Sequence, residues 1–316
     1  MGPRNFNTST EFILEGLSHD RKTQILLFVV ILFVYIFTLV GNAGIILLVR
    51  TDSQLHTPMY FFLTQLSSVE ICYVNTTIPQ MLAHLLAGHA ELSLIRCALQ
   101  MYTALALSTA EALLLGVMAY DRYLAICHPL VYITAMGRRY QVQLASACWI
   151  GGLCGGVICV SLTFSHPFCG PCCIKHFICE MPMVLKLACD DPHITEILIF
   201  VFAAIVVFCP VSVILTSYGL ILLSLFQMQS VSGLRKAFST CGSHLAVVTM
   251  FYGSATFVYI APRISAAPGD DKQAAVFYLV VTPLLNPIIY TLRNKDVHAA
   301  MAKVLRKWRF QRKDEC

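Results

Sequence analysis

The chain has little charge. Asp, Glu, Lys and Arg make up 12% of its 316 residues, whereas the apolar types make up 57%. An ordinary soluble domain carries about a quarter charged residues, and a soluble core has no room for so much apolar surface. The charge also falls in particular places. Thr23 to Val49 contains no Asp, Glu, Lys or Arg. A hydrocarbon layer of ~30 Å takes ~20 helical residues, so this run spans it. Comparable runs lie around Met59–Leu86, Ala98–Tyr120, Tyr140–Phe164, Ile197–Phe226, Ala237–Pro262 and Gln273–Leu292. Backbone groups in lipid must pair within their own segment, which makes each run a helix. The expected fold is an all-α membrane bundle of seven spans over 23–292, with a tail at 1–22 and a short amphipathic helix and tail at 293–316. No length remains for a second globular domain.

Other absences narrow the function. The first residues lack a basic stretch followed by a short apolar run and a small-residue cleavage site, so no removed signal peptide is expected and the first span directs insertion. His84, His89, His166, His176 and His193 are scattered without metal spacing, and no clustered nucleophile set suggests an enzyme. Two acids in the spans make a poor polar route for a solute transporter. The net charge of +5 does not indicate nucleic acid, because its distribution accounts for it. With the N-terminus outside, fourteen of the 22 Lys and Arg lie on the cytoplasmic side, the asymmetry that orients membrane proteins. Asn7-Thr8-Ser9 then becomes a glycosylation sequon on an outer tail, with Asn7 as acceptor. The match at Asn75-Thr76-Thr77 falls inside the second span, out of reach of glycan addition.

Of fourteen cysteines, six fall on the outer side: Cys97, Cys169, Cys172, Cys173, Cys179 and Cys189. That side is oxidising, and six cysteines allow 15 pairings that spacing does not resolve. Cys148, Cys154, Cys159 and Cys209 read as small buried hydrophobes. His176, Cys179 and Glu180 form a His-x-x-Cys-Glu arrangement suited to a soft metal, unless Cys179 is in a disulfide.

Met118-Ala119-Tyr120-Asp121-Arg122-Tyr123-Leu124-Ala125-Ile126-Cys127-His128-Pro129-Leu130 closes the third span, Asn286-Pro287-Ile288-Ile289-Tyr290 lies in the seventh, and Gly41-Asn42 in the first. Together these resemble the rhodopsin-like G-protein-coupled receptors. Leu55-His56-Thr57-Pro58-Met59-Tyr60, Lys236-Ala237-Phe238-Ser239-Thr240-Cys241-Gly242-Ser243-His244-Leu245 and Pro283-Leu284-Leu285-Asn286-Pro287 narrow the resemblance to the olfactory receptors, tetrapod-type class. It covers about Phe6 to Val297.

The resemblance implies a receptor in the plasma membrane that binds a small volatile organic ligand and raises cAMP through a stimulatory or olfactory-type G protein; a non-olfactory receptor for a small metabolite is the alternative. It implies that Asp121 holds Arg122 at rest, that Arg122 and Tyr123 face the G protein, and that Tyr218 and Tyr290 rearrange around that arginine. Pro287 removes a backbone hydrogen bond in the seventh span, and Asn286 satisfies freed groups. It pairs Cys97 with Cys179 and Cys169 with Cys189, leaving Cys172 and Cys173 outside the pattern. Glu70 and Glu111, carboxylates placed near mid-bilayer where ionisable groups are costly, would share a proton or hold a cation; the resemblance points to a sodium-type site, with Glu70 where Asp is more usual. No other cofactor is expected.

The outer half of the third span, Cys97 to Ala110, has no charge, which argues against an amine ligand. The absence of Lys from Gln273–Leu292 excludes a visual pigment. Candidate lining residues are Met101, Ala104, Leu105, Ser108 and Thr109, with Phe202 and Val206 on the fifth span, Tyr252, Thr256 and Tyr259 on the sixth, and Val276 and Leu279 on the seventh. Such an apolar surface with a few hydroxyls suits small neutral ligands. After the spans, Val297, Met301, Val304 and Trp308 share a helical face among Lys303, Arg306, Lys307 and Arg309, a pattern that lies on anionic lipid.

Overall fold

The computed structural model describes residues 11–18, 20–88, 91–169, 173–227, 241–255, 272, 275–292 and 297–303. Each of the seven charge-poor runs is helical where it is described. The first five spans are α1 (Arg21–Thr51), α2 (Pro58–Ala87), α3 (Leu94–Cys127), α5 (Arg138–Thr163) and α7 (His193–Gln227), with the short helices α4 (Pro129–Ala135) and α6 (Met181–Leu185) between them. The sixth span is described over 241–255. The seventh contains a π turn, Phe277–Val281, that runs into the helix Thr282–Leu292. By length and composition, four of the described helices (α1, α3, α5 and the 193–226 part of α7) are apolar enough to cross a membrane.

α2 is 30 residues long yet less apolar, and the reason is where its polar groups go. Ser67, Glu70 and Thr77 are buried, and Gln65 accepts from the Trp149 indole of α5 at 3.1 Å. An inward polar set with partners lowers hydropathy without facing lipid. α1 and α7 show the converse: Phe33, Phe37, Val40, Phe208 and Leu215 are all more than half exposed, as lipid-facing side chains should be.

Helix ends follow local chemistry. The Asp20 side chain caps α1 by accepting from Thr23 N–H, and the Thr23 hydroxyl and amide hold that carboxyl below its usual range. At the other end Asp52 caps the 3-10 turn Ser53–Leu55. Its pKa is lowered first by the Gln54 amide and then by Lys303, whose ammonium lies 3.2 Å away. Lys303 belongs to the helix at 297–303 that follows the spans; Val297 and Ala300 on that helix are buried. Val304 and Trp308 lie outside the described residues.

α3 and α5 meet along small residues. A Cβ built on Gly152 would lie 2.2 Å from the Ala106 carbonyl oxygen, and one on Gly156 would lie 3.1 Å from Tyr102 and Ala106. Backbones approach this closely only where side chains are missing. Gly155 receives the Phe202 ring, whose tip would be 2.4 Å from an added Cβ.

At the Cys97 end the connections form a small three-stranded sheet. β1 (Glu11–Leu14) is its middle strand, antiparallel to β2 (Glu91–Ser93) and parallel to β3 (Cys173–Ile174). Phe12 and Leu14 point inward and are buried. Lys272 clamps the segment after β1, donating to Glu15 at 2.8 Å and to the Gly16 carbonyl at 3.1 Å. Both disulfides of the family pattern are present, Cys97–Cys179 and Cys169–Cys189, with Cα–Cα distances of 5.5 and 5.6 Å. Cys173 is a free, exposed thiol. Cys172 and the sequon Asn7 lie outside the described residues.

Candidate functional site

At the Arg122 end, Asp121 is buried and meets two partners. Arg122 Nη2 lies 3.8 Å from Asp121 Oδ2, and the Tyr132 hydroxyl of α4 donates to Oδ1 at 2.8 Å. Tyr132 has its pKa raised, first by burial and then by the Asp121 charge, so it stays a donor. Tyr123 turns the other way and shares a hydrogen bond with His128 at 2.9 Å. Above Arg122, Tyr218 of α7 and His244 of the sixth span share a hydrogen bond of 2.8 Å and stack with ring centroids 5.8 Å apart. Tyr290 is buried, and its hydroxyl has no hydrogen-bond partner.

His244 is the residue that sequence reasoning missed. It stood inside the Lys236–Leu245 stretch but was given no role, and only its burial against Tyr218 marks it. Tyr132 was missed as well; nothing in its local sequence pairs it with an acid eleven residues earlier. On α4, which carries Tyr132, Leu130 and Ile133 are 94% and 81% exposed, an apolar surface on the helix that holds Asp121's partner.

Midway through the bundle, Asn286 donates to Glu70 Oε1, while the Asn42 amide of α1 donates to the Thr38 carbonyl at 3.1 Å. Glu111 is buried close enough to Glu70 for their charges to interact. Glu70 Oε2 and Asn286 Oδ1 are buried oxygens without a hydrogen-bond partner. Buried acceptors are rarely left so, and an oxygen-rich cluster of this kind suits a small hard cation or a shared proton. Among the described residues, no three His, Cys, Asp or Glu side chains come together as a metal cage.

The candidate lining residues divide between two apolar clusters. Met101 belongs to the cluster that contains Cys97 and Cys179, and Leu105 and Phe202 pack against that cluster. Tyr252 and Leu279 belong to the main core, against which Ala104, Val206 and Val276 also pack. Thr109 is buried, and Ser108 bonds back to the Leu105 carbonyl at 3.2 Å. The Tyr252 hydroxyl donates to the Ala112 carbonyl at 2.9 Å, tying the sixth span to α3 one residue from Glu111. Thr256 and Tyr259 lie outside the described residues.

The His-x-x-Cys-Glu arrangement does not survive as a soft-metal site, because the Cys179 sulfur is bonded to Cys97.

The family described as olfactory receptor matches residues 31–308 of the chain. Human olfactory receptor 10C1 is 48% identical over 303 residues, which is 95% of this chain and 97% of that one. Mouse olfactory receptor 5AR1 is 45% identical across 97% of this chain and 99% of its own length. The dog olfactory receptor-like protein OLF3 is 45% identical across 96% of both.

Proposed function

Because the chain belongs to the olfactory receptor family, a family of multi-pass membrane receptors and not of enzymes, we propose that it is an odorant-activated receptor coupled to a stimulatory or olfactory-type G protein, raising cAMP. A small, mostly neutral, apolar molecule binds in the outer half of the bundle, against Met101, Ala104, Leu105, Ser108, Thr109, Phe202, Val206, Tyr252, Thr256, Tyr259, Val276 and Leu279. The N-terminal tail, 1–22, is extracellular; 23–292 forms the receptor bundle; 293–316 lies on the inner leaflet and continues as the cytoplasmic tail.

One observation carries the coupling half of this reading: Arg122 sits at a helix end, held by the buried Asp121, beneath the buried Tyr218–His244 pair and Tyr290. A signalling receptor needs two arrangements of comparable energy that a ligand biases. Outward movement of the sixth span carries His244 away from Tyr218, frees Arg122 for a helix of the G protein, and leaves Leu130 and Ile133 as an apolar foothold. Asn286, Pro287 and Tyr290 supply the matching bend in the seventh span. Agonist-dependent cAMP in cells displaying the chain is the test.

Glu70 and Glu111, with the orphaned oxygens beside them, hold a sodium ion that favours the resting state. Glu111→Gln keeps the size and most of the hydrogen bonding while removing one negative charge. It changes basal cAMP and blunts the response to sodium, and odorant selectivity stays as in wild type because the cluster lies below the ligand; ~1.4 kcal/mol of bias is a tenfold population change. Basal activity, agonist potency and sodium response all equal to wild type would make the pair structural only.

A further inference from the structure

The outer loop holds a buried polar pair that the coupling machinery does not use. His176 is fully buried and stacks on Phe177, with centroids 4.6 Å apart. Its Nδ1 accepts from the Ile178 amide at 3.3 Å. A neutral ring that accepts at Nδ1 carries its proton on Nε2. Nε2 is therefore a buried donor, and it has no hydrogen-bond partner; its counterpart is Glu180 Oε2, 4.0 Å away.

Neither side chain is free to close that gap. The other Glu180 oxygen, Oε1, accepts from the Tyr278 hydroxyl of the seventh span. Tyr278 is the second residue of the π turn Phe277–Val281, and such turns commonly mark functional positions. The Glu180 carbonyl starts α6 by accepting from Met183 and Val184. The His176 carbonyl accepts from Gly16 at 3.3 Å, so the β1 strap fixes it from above. The preceding residue of the disulfide is fixed as well: the Cys179 amide donates to Gln100 of α3 at 3.0 Å.

A separation of 4.0 Å is too long for a direct bond and suits one intervening oxygen. An oxygen ~2.8 Å from each atom subtends roughly 90° between them, close enough to tetrahedral for a hydroxyl. It accepts from Nε2–H and donates its own hydrogen to Glu180. An ether oxygen accepts but has no hydrogen to give, and a hydrocarbon does neither.

We propose that the gap between His176 and Glu180 is a hydroxyl-reading subsite for the odorant, taking a neutral alcohol or phenol whose hydrocarbon part rests on the apolar core that Phe177 and Ile178 join. This rests on the receptor reading above and names its ligand class. Tyr278 is a positioning residue: it aims Glu180 Oε2 at the gap by occupying Oε1.

The test compares alcohols with their methyl ethers of matched carbon skeleton, by two readouts. One is cAMP in cells; the other is the thermal stability of the purified full chain in nanodiscs, followed with a thiol-reactive dye, which needs no G protein. In wild type the preferred alcohol acts at a concentration at least about ten-fold lower than its ether, as one hydrogen bond to a charged group provides. Glu180→Gln and His176→Phe each bring that ratio to within about two-fold at unchanged surface display, and Tyr278→Phe lowers it partway. Should His176→Phe fail to reach the surface, Glu180→Gln alone decides. Equal potency of alcohols and ethers in wild type by both readouts means that a water fills the gap, and overturns the proposal. So does a ratio that survives Glu180→Gln. Alcohol-selective stabilisation without any cAMP leaves the subsite standing and contradicts the signalling reading instead.

Discussion

Cells that display Arg122→Ala at wild-type surface density produce no agonist-evoked cAMP. Asp121 is almost completely buried, and among the described residues Arg122 and Tyr132 meet its charge, so Arg122 has a resting partner and a second destination on the G protein. Removing the guanidinium deletes the second destination outright. It also loosens the first, yet Tyr132 still bonds Asp121, and the chain folds. Two ligand sites of a typical switch are coupled by ~1–3 kcal/mol; without the guanidinium the G-protein site no longer receives that coupling, so the agonist response is lost while surface display stays within a few-fold. Tyr132→Phe in the otherwise wild-type chain deletes the hydroxyl that bonds Asp121 and raises basal activity without abolishing the agonist response. A full response from Arg122→Ala at normal display removes Arg122 from the mechanism.

Gly152→Leu removes most of the chain from the cell surface. The Gly152 backbone touches that of α3: an added Cβ meets Ala106 O at 2.2 Å, Ala110 N at 3.0 Å and the Ala110 methyl at 3.1 Å. Two of these neighbours are backbone atoms, which do not swing aside as a side-chain tip does. The helices must separate, and Gly156 loses its contacts with Tyr102 and Ala106 of α3 in consequence. Overpacking of this kind costs about 1–3 kcal/mol or more, enough to lower abundance several-fold through quality control. Gly44→Ala, where nothing lies within 4 Å of the new Cβ, keeps wild-type display. Surface staining of the two variants side by side is the measurement; equal display contradicts the close α3–α5 packing.

The spans were legible because the bilayer imposes a length and forbids charge, and both are visible residue by residue. Glu70 and Glu111 stood out for the same reason, as exceptions inside charge-free runs. The sheet of β1, β2 and β3 was not legible. Its strands are two to four residues long, too short for alternation to register, and they come from three distant connections. His244 was hidden because a lone histidine on an apolar face carries no period; its meaning lies in Tyr218, 26 residues earlier. The His176–Glu180 spacing was visible, but it was read only as a soft-metal arrangement conditional on a free Cys179; the Tyr278 hydroxyl that orients Glu180 is a tertiary fact. The small residues Gly151, Gly152, Gly155 and Gly156 were in plain sight; which of them touches α3 depends on the crossing of two helices that local sequence does not encode.

The central claim is that an apolar small molecule, bound among the outer halves of these helices, drives Arg122 into a G protein. A chemically broad odorant panel applied to cells that carry the surface-displayed chain and a cAMP reporter tests it most directly. The account predicts a saturable, concentration-dependent rise in cAMP for at least one small neutral compound, absent from mock-transfected cells and absent from Arg122→Ala at equal display. A rise of equal size in Arg122→Ala, or silence across the panel from a chain that reaches the surface and is supplied with an olfactory-type G protein, contradicts it.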